Sequence, residues 1–453
     1  MPINRLINNA DIEKVSEGLL SVKNNCFINK MLLSPTNPLL CNNPGGIIKN
    51  QVGLSADSLK EYMSVCTFVH TIDGWSYLSN AINAFLNGEP SITVHLSYYA
   101  ELRAAMAFLC TEGILIANNE QACIDSSNNI YIPSCQPKSM RITRTGTHSA
   151  TWDIINEWIL NSTKQTNVLE YFTYKGRTFK ELISFIPHAA NTNSGQVALV
   201  KKWLQTWCFD IRKYEEDREG RNTSSYNANI ARNFTPNNLR DSLSILNEFW
   251  LLLEPSADNF SKLDQYLFAL YLKEVYNNAV LNGFSITKDD FIKGLYNNSG
   301  LTEDLFLSRV FINDEESSLL KYAKDHQIDP GTGEVHSLTI IARAILLLRF
   351  CSVRQIRRVC CGACSFLFKK NSISKNDLDF YIHKVGQSYG IWDTVNPEDL
   401  RDLWTDINDL LIDFEQYFEA NTPSNIYNLK TTFTGYSEVY TQFSRAGLWG
   451  LGL

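Results

Sequence analysis

Long apolar runs are missing from this chain of 453 residues. The most apolar stretch, 339–353, is shorter than the roughly 20 residues that cross a bilayer, and it contains two arginines. The first residues include no apolar segment of the kind found in signal peptides. The 11 cysteines are an odd number, which is typical of reduced thiols. These absences exclude a membrane-spanning chain and predict a cytoplasmic protein.

Motifs that define several enzyme classes are also missing. The sequence has no Gly-x(4)-Gly-Lys-Ser/Thr loop for phosphates, no Gly-x-Ser-x-Gly elbow and no His-Glu-x-x-His. Cys361 and Cys364 form half of a zinc site, but no second pair follows at a similar spacing. Small apolar positions on a helix suit these cysteines better. The sequence therefore predicts no bound metal and no cofactor.

Helical periodicity dominates what is present. Apolar residues recur every three or four positions in many segments. These segments are 56–86, 93–111, 149–161, 177–187, 195–213, 236–253, 257–282, 286–297, 302–325, 336–352, 354–370, 374–389, 397–419 and 433–446. The length of the first predicts two helices that break near Asp73 and Gly74. Residues 114–134 alternate in short runs and predict a small β-hairpin, so the predicted fold class is all-α with a minor hairpin.

One polar segment suggests a division into two domains. Residues 214–235 lack apolar periodicity, which is typical of a loop or linker. The predicted organisation is an N-terminal arm (1–54), a helical domain with the β-ribbon (55–213), the linker (214–235) and a helical C-terminal domain (236–453). In the last, 397–419 has Asn396 as a helix cap, Pro397 in the first turn and a narrow apolar seam for a partner helix.

Charge is distributed unevenly within a net charge of -7. Residues 335–376 contain no acidic side chain and carry a net charge of +8, whereas 392–420 carry -8. The two blocks pair within the chain, or the basic block binds nucleic acid or an acidic protein; all three interpretations stay open. Nucleic-acid binding would weaken steeply with salt. Its candidate contacts are Arg343, Arg349, Arg354, Arg357, Arg358, Lys369 and Lys370.

The segment Ser97-Tyr98-Tyr99-Ala100 resembles the corresponding helix of HEPN-type four-helix domains, over about residues 65–165. The resemblance implies a homodimeric ribonuclease that cuts RNA without metal through an Arg-x(4–6)-His motif. Arg141 and His148 match that motif, so the resemblance implies that Arg141 stabilises the phosphate charge and His148 activates the ribose 2′-hydroxyl. His148 precedes a predicted helix, whose N-terminus disfavours a protonated ring and so keeps it neutral, as a base must be.

The last ten residues place four apolar side chains among glycines: Leu448, Trp449, Leu451 and Leu453. So many glycines disfavour a helix, and the tail either packs into its own domain or docks on another protein. The overall character of the chain resembles accessory subunits of multi-component prokaryotic defence systems of the Lamassu type. That resemblance implies other protein subunits as partners, including an SMC-like ATPase and an effector nuclease.

Three functions are therefore expected, in order of preference. The first is a non-catalytic helical accessory or scaffold subunit of a bacterial, anti-phage or anti-plasmid complex. The second is a HEPN-like ribonuclease that uses Arg141 and His148, and the third is a nucleic-acid-binding subunit that uses the basic segment 335–376.

Overall fold

The computed structural model describes residues 2–142, 146–161, 168–186, 193–207, 211–226, 239–256, 259–324, 334–359, 375–388, 390, 399–421, 428, 431 and 436–450. Its α-helices are α1 (Pro2–Asn9), α2 (Ile12–Asn29), α3 (Pro44–Asn50), α4 (Ala56–Leu86), α5 (Pro90–Thr111), α6 (Thr147–Leu160), α7 (Val168–Tyr171), α8 (Phe179–Ser184), α9 (Asn193–Thr206), α10 (Ile211–Tyr226), α11 (Leu239–Leu252), α12 (Ser261–Leu281), α13 (Lys288–Ser299), α14 (Leu305–Ile312), α15 (Ser318–Lys324), α16 (Glu334–Val359), α17 (Lys375–Ser388), α18 (Leu400–Ala420), α19 (Tyr436–Thr441) and α20 (Ala446–Gly450). The strands are β1 (Ile114–Ala117), β2 (Glu120–Ile124), β3 (Ile130–Tyr131), β4 (Thr173–Tyr174), β5 (Arg177–Thr178), β6 (Pro255–Ser256) and β7 (Asn259–Phe260). The predicted all-α class with a small hairpin is confirmed.

Helix α4 is continuous over 31 residues, so the predicted break near Asp73 and Gly74 is wrong. Its start is fixed by Ser55 and Ser58, each of whose side chains accepts a hydrogen bond from the other's backbone N–H. Gly74 lies inside the helix, where the lack of a side chain allows other helices to pack against it. A Cβ there would come within 2.7 Å of Leu348 Cδ2 and 3.4 Å of the Ala100 carbonyl oxygen, so the glycine lets α5 and α16 approach α4 closely.

Helix α16 runs through the centre of the fold. Every residue from 337 to 351 is buried, and the helix packs on α4, α5 and α15. A helix that is apolar on all sides belongs in a core. It continues to Val359 without the predicted break after 352; residues 360–374 lie outside the described part. Among the described residues, none of the helices combines the length and apolar character that crossing a lipid bilayer requires.

The predicted hairpin is confirmed as three short antiparallel strands, β1, β2 and β3. Strands β1 and β2 pair from Ile114 with Cys123 to Ala117 with Glu120. The two residues between them, Asn118 and Asn119, both have positive φ (45° and 69°), as a two-residue hairpin turn of the right twist requires. This turn holds the start of α6, because Asn119 Oδ1 accepts a hydrogen bond from the Thr147 backbone N–H at 2.9 Å.

Residues 214–226, predicted to be loop or linker, form most of α10, so that interpretation is wrong for them; 227–235 lie outside the described residues. Helix α10 packs on α5 and α6. The ring of Tyr214 stacks on Trp152, with centroids 4.7 Å apart and planes 3° apart, and Asp217 is fully buried. One hydrophobic core includes buried residues from Leu6 to Trp449, on both sides of the predicted boundary.

Both ends of the described chain pack against α4. The predicted arm forms α1, α2 and α3, and Ser64 Oγ of α4 donates a hydrogen bond to the Val15 carbonyl of α2 at 2.7 Å. At the other end, α19, a 3₁₀ turn at Gln442–Arg445 and α20 follow one another. The glycine-rich segment is helical as far as Gly450, contrary to the expectation from propensity, because Leu448 and Trp449 are buried in the core. Tertiary packing outweighs local propensity here.

Candidate functional site

His148 lies in the first turn of α6 and faces two tyrosines of α5. Its Nδ1 is 3.0 Å from the hydroxyl of Tyr98, and the two rings are stacked with centroids 5.7 Å apart. The Tyr99 ring meets His148 edge-on at 5.8 Å. Tyr98 is fully buried and also accepts a hydrogen bond from Trp152 Nε1 at 3.3 Å, so the position of its hydroxyl is fixed.

Arg221 of α10 completes this arrangement. Its Nη2 donates to the Tyr99 hydroxyl at 3.1 Å and lies 3.5 Å from His148 Nε2, and its guanidinium is stacked 5.6 Å from the Tyr98 ring and 5.4 Å from the Tyr99 ring. A second arginine, Arg218, donates to Ser149 Oγ at 3.3 Å beside it. We refer to His148, Tyr98, Tyr99, Arg218 and Arg221 as the His148 cluster.

The partners of His148 indicate which ring nitrogen carries the proton. Arginine can only donate, so the Nε2 that faces Arg221 presents its lone pair. Nδ1 then carries the hydrogen and donates it to Tyr98, whose oxygen has a second lone pair for Trp152 Nε1. A neutral ring held in this tautomer has a basic nitrogen directed at the guanidinium. Tyr98 thus orients the imidazole, as a carboxylate orients the histidine of a catalytic triad.

Burial and positive charge both keep this imidazole neutral. Burial lowers the pKa of His148 most, and the charges of Arg221 and Arg218 lower it further. The positive end of the α6 dipole acts in the same direction. His148 is therefore neutral at pH 7 and able to accept a proton.

Neither arginine has an acidic partner among the described residues. In the described part of the chain no carboxylate lies within salt-bridge distance of Arg218 or Arg221, and both side chains are only partly exposed. Arg221 Nε is buried and has no hydrogen-bond acceptor among the described residues. Two neighbouring, uncompensated guanidinium groups with an unsatisfied N–H favour the binding of an anion with several oxygens, such as a phosphodiester.

This chain matches no protein-family model, no curated protein and no solved structure.

The predicted pair of Arg141 and His148 is not joined in the structure. Arg141 is exposed, and its Nε donates to the Gln136 carbonyl at 2.7 Å. No hydrogen bond links it to His148, whose arginine neighbours are Arg221 and Arg218. The sequence stretch that was predicted to be a linker supplies these arginines, so the motif spacing did not indicate which arginines lie next to His148.

A weak signal for the arginines was present in the sequence. Tyr214, Asp217, Arg218, Arg221 and Ser225 follow one another at steps of three, one, three and four, which places them along one face of a helix. Because this face is polar, a search for apolar periodicity does not detect it. A search for any chemical class at helical spacing would have found it.

Two of the predicted nucleic-acid contacts, Arg343 and Arg349, are wrong because both are buried in salt bridges. Arg343 Nη1 donates to both carboxylate oxygens of Asp217, at 2.8 and 2.9 Å. Arg349 donates to Asp264 through two nitrogens, Nε to Oδ1 and Nη2 to Oδ2. Neither aspartate belongs to the acidic block 392–420, so the predicted pairing between the two blocks does not hold for these arginines.

The remaining predicted contacts fall outside what the structure describes. Arg354, Arg357 and Arg358 lie in α16, but their side chains are outside the described part, and Lys369 and Lys370 are outside it altogether. For the apolar tail, Leu448 and Trp449 pack within their own chain, and Trp449 Nε1 donates to the Leu253 carbonyl at 2.9 Å. These two residues are therefore not available to a partner, and Leu451 and Leu453 lie outside the described residues.

A buried carboxyl lies beside the salt bridge between Asp217 of α10 and Arg343 of α16. Glu101 of α5 is fully buried next to Asp217 of α10. Burial raises the pKa of Glu101 well above its usual value, and the charge of Asp217 raises it further, against the opposite effect of Arg343. Burial therefore favours the protonated form of Glu101 beside the ion pair of Arg343 and Asp217. In the described residues, no group of three or more His, Cys, Asp or Glu side chains could hold a metal ion.

Proposed function

We propose that this chain cleaves RNA without a metal ion, at the His148 cluster. The observation that carries the proposal is a neutral, oriented imidazole whose Nε2 lies 3.5 Å from an arginine that has no acidic partner in the described chain. A general base and a phosphate-binding cation at this separation match the needs of attack by the ribose 2′-hydroxyl.

Each residue of the cluster has a role in that reaction. His148 Nε2 takes the proton of the 2′-hydroxyl, and the 2′-oxygen attacks the phosphorus. The bond to the 5′-oxygen breaks, which leaves a 2′,3′-cyclic phosphate and a 5′-hydroxyl end. Arg221 and Arg218 bind the non-bridging oxygens, on which negative charge accumulates. Tyr98 holds the histidine tautomer. DNA lacks the 2′-hydroxyl and is not a substrate.

The test is cleavage of a single-stranded RNA by the purified protein in EDTA. Because a general base contributes about 10²–10⁴-fold, His148→Ala should lower the rate by at least about 100-fold. Arg221→Ala should do likewise, and Arg141→Ala is the matched control that should cleave as the wild type does. A deoxyribose at the cleaved position should abolish the reaction. Inhibition by EDTA, or full activity of His148→Ala, would refute the proposal.

A second proposal is the accessory subunit, now on different residues. Leu20, Phe27, Ile28 and Met31 follow one face of α2 and its end, and Phe27 and Ile28 are 82% and 72% exposed. Apolar side chains grouped on one face favour contact with another protein. Partners of the kind expected from the sequence, an SMC-like ATPase and an effector nuclease in a cytoplasmic defence complex, would bind there.

This second proposal is tested on the native complex. The tagged protein purified from its own host should have a mass well above that of one chain. Phe27→Ser combined with Ile28→Ser should lower the measured mass to that of the free chain. Leu281→Ser, which changes a side chain that is 83% exposed at the end of α12, is the matched control and should leave the complex intact. Wild-type protein that elutes alone would refute the accessory role.

A further inference from the structure

A second histidine lies next to the His148 cluster. His95 of α5 is one helical turn before Tyr99, and its ring centroid lies 5.0 Å from the Tyr99 centroid. Its Nδ1 is 2.9 Å from Ser225 Oγ of α10. His95 is partly exposed, and in the described part of the chain its Nε2 has no hydrogen-bond partner. One nitrogen is therefore fixed by the protein and the other is open to a ligand.

His95 and His148 both contact Tyr99. Their centroids lie 5.0 and 5.8 Å from the Tyr99 centroid, so the two imidazoles are no farther apart than the sum of these distances. Arg221 donates its hydrogen bond to the Tyr99 hydroxyl. A phosphate bound to Arg221 would thus lie beside the tyrosine that both histidines contact.

The electrostatics agree with this geometry. Burial and then the charge of Arg221 lower the pKa of His95, and Arg221 is also among the causes that lower the pKa of His148. One guanidinium therefore acts on both rings. A bound phosphate adds negative charge between them, opposes the effect of Arg221 and makes a protonated imidazole easier to form.

Cleavage of RNA requires two proton transfers, one from the attacking 2′-hydroxyl and one to the departing 5′-oxygen. His148 serves the first, because its tautomer leaves Nε2 without a proton. We propose that His95 serves the second and donates the proton on its Nε2 to the 5′-oxygen as the phosphorus–oxygen bond breaks. This inference rests on the proposed ribonuclease function. After the reaction His148 holds the proton of the 2′-hydroxyl, His95 is neutral, and exchange with water restores both.

The test compares two forms of one short RNA with a single cleavable ribose. One form has the natural 5′-oxygen at that position, and the other has sulfur in its place. A thiolate leaves without being protonated, so the second form needs no acid. His95→Ala should lose at least about 100-fold in rate on the oxygen substrate and return to within about threefold of the wild type on the sulfur substrate. His148→Ala should be impaired on both.

The outcomes separate this inference from the function on which it rests. If His95→Ala is equally impaired on both substrates, or cleaves the oxygen substrate normally, the inference is refuted while the ribonuclease proposal stands. If the wild type cleaves neither substrate, the ribonuclease proposal fails. Activity on the sulfur substrate also shows that the variant is folded. His95→Gln, which keeps a polar side chain in the same space, should behave as His95→Ala does.

The pH dependence gives an independent measurement. Base catalysis by a neutral His148 should reduce the rate at acid pH, and the need for a protonated His95 should reduce it at alkaline pH. The charged and titratable groups next to these rings are Arg221, Arg218, Tyr98 and Tyr99. His95→Ala should lose the alkaline decrease and keep the acid one. An unchanged alkaline decrease would contradict the assignment.

Discussion

Replacing Arg343 by methionine should strongly destabilise the protein, because it leaves a buried carboxylate without its cation. The side chains of Arg343 and Asp217 are 3% and 0% exposed, and two hydrogen bonds join them. Arg343 Nε also donates to the Ala323 carbonyl at 3.1 Å. Removing one member of a fully buried ion pair costs about 3–5 kcal/mol. We expect Arg343→Met to lower the free energy of unfolding by that amount.

The partner variant determines whether the loss arises from the unpaired charge. Asp217→Leu alone should also be costly, because it leaves the arginine unpaired. The double variant should regain most of the stability, since apolar residues of similar size often replace a buried ion pair without loss. The measurement is urea-induced unfolding followed by tryptophan fluorescence and by circular dichroism, analysed as a double-mutant cycle. A loss below about 1 kcal/mol for Arg343→Met, or additive losses in the double variant, would refute the reasoning.

Three further predictions concern titration and packing. Glu101→Gln should stabilise the protein at pH 7 relative to the wild type. The raised folded-state pKa of Glu101 makes the wild type lose roughly 1 kcal/mol of stability per pH unit above the unfolded-state pKa. Urea unfolding should show a larger stabilisation by the substitution at pH 7 than at pH 5, and equal stabilisation at the two pH values would contradict the prediction. Sulfate bound at Arg221 should raise the pKa of His148 and cause proton uptake. Titration calorimetry in buffers of different ionisation enthalpy should therefore give tighter binding at pH 6 than at pH 8. Proton uptake by His148→Ala equal to that of the wild type would contradict this prediction. Trp449→Ala should cost about 3–5 kcal/mol in urea unfolding, because the buried indole also donates to the Leu253 carbonyl; a change below about 1 kcal/mol would show that α20 does not hold the core together.

Elements with an apolar stripe were predictable from the sequence. The helix predicted at 397–419 is observed as α18, and its seam is buried at Leu403, Ile407 and Leu411, with the indole of Trp404 donating to the Trp250 carbonyl of α11. The helix starts at Leu400 and ends at Ala420, and Asp399 caps it by accepting a hydrogen bond from the Arg401 backbone N–H. The predicted cap Asn396 and Pro397 lie outside the described residues.

Long-range charge pairs were not predictable. Arg343 and Asp217 are 126 positions apart, and a single sequence does not indicate which of 48 acidic residues will meet a given arginine. The same limit explains why only part of the candidate site was predicted from the sequence. His148 was found because a short motif surrounds it, whereas Arg221 lies 73 positions away on a helix whose contact face is polar. The predicted helix at 302–325 was also too long, because its apolar residues belong to both α14 and α15.

The anchoring of α10 has a consequence for the order in which the site is made. His95, His148 and Arg221 leave the ribosome well before Arg343, whose guanidinium pairs with Asp217 of α10. A nascent chain that ends before α16 contains every proposed catalytic side chain and lacks the cation that neutralises Asp217. The chain would therefore complete the proposed site only after most of it has been synthesised.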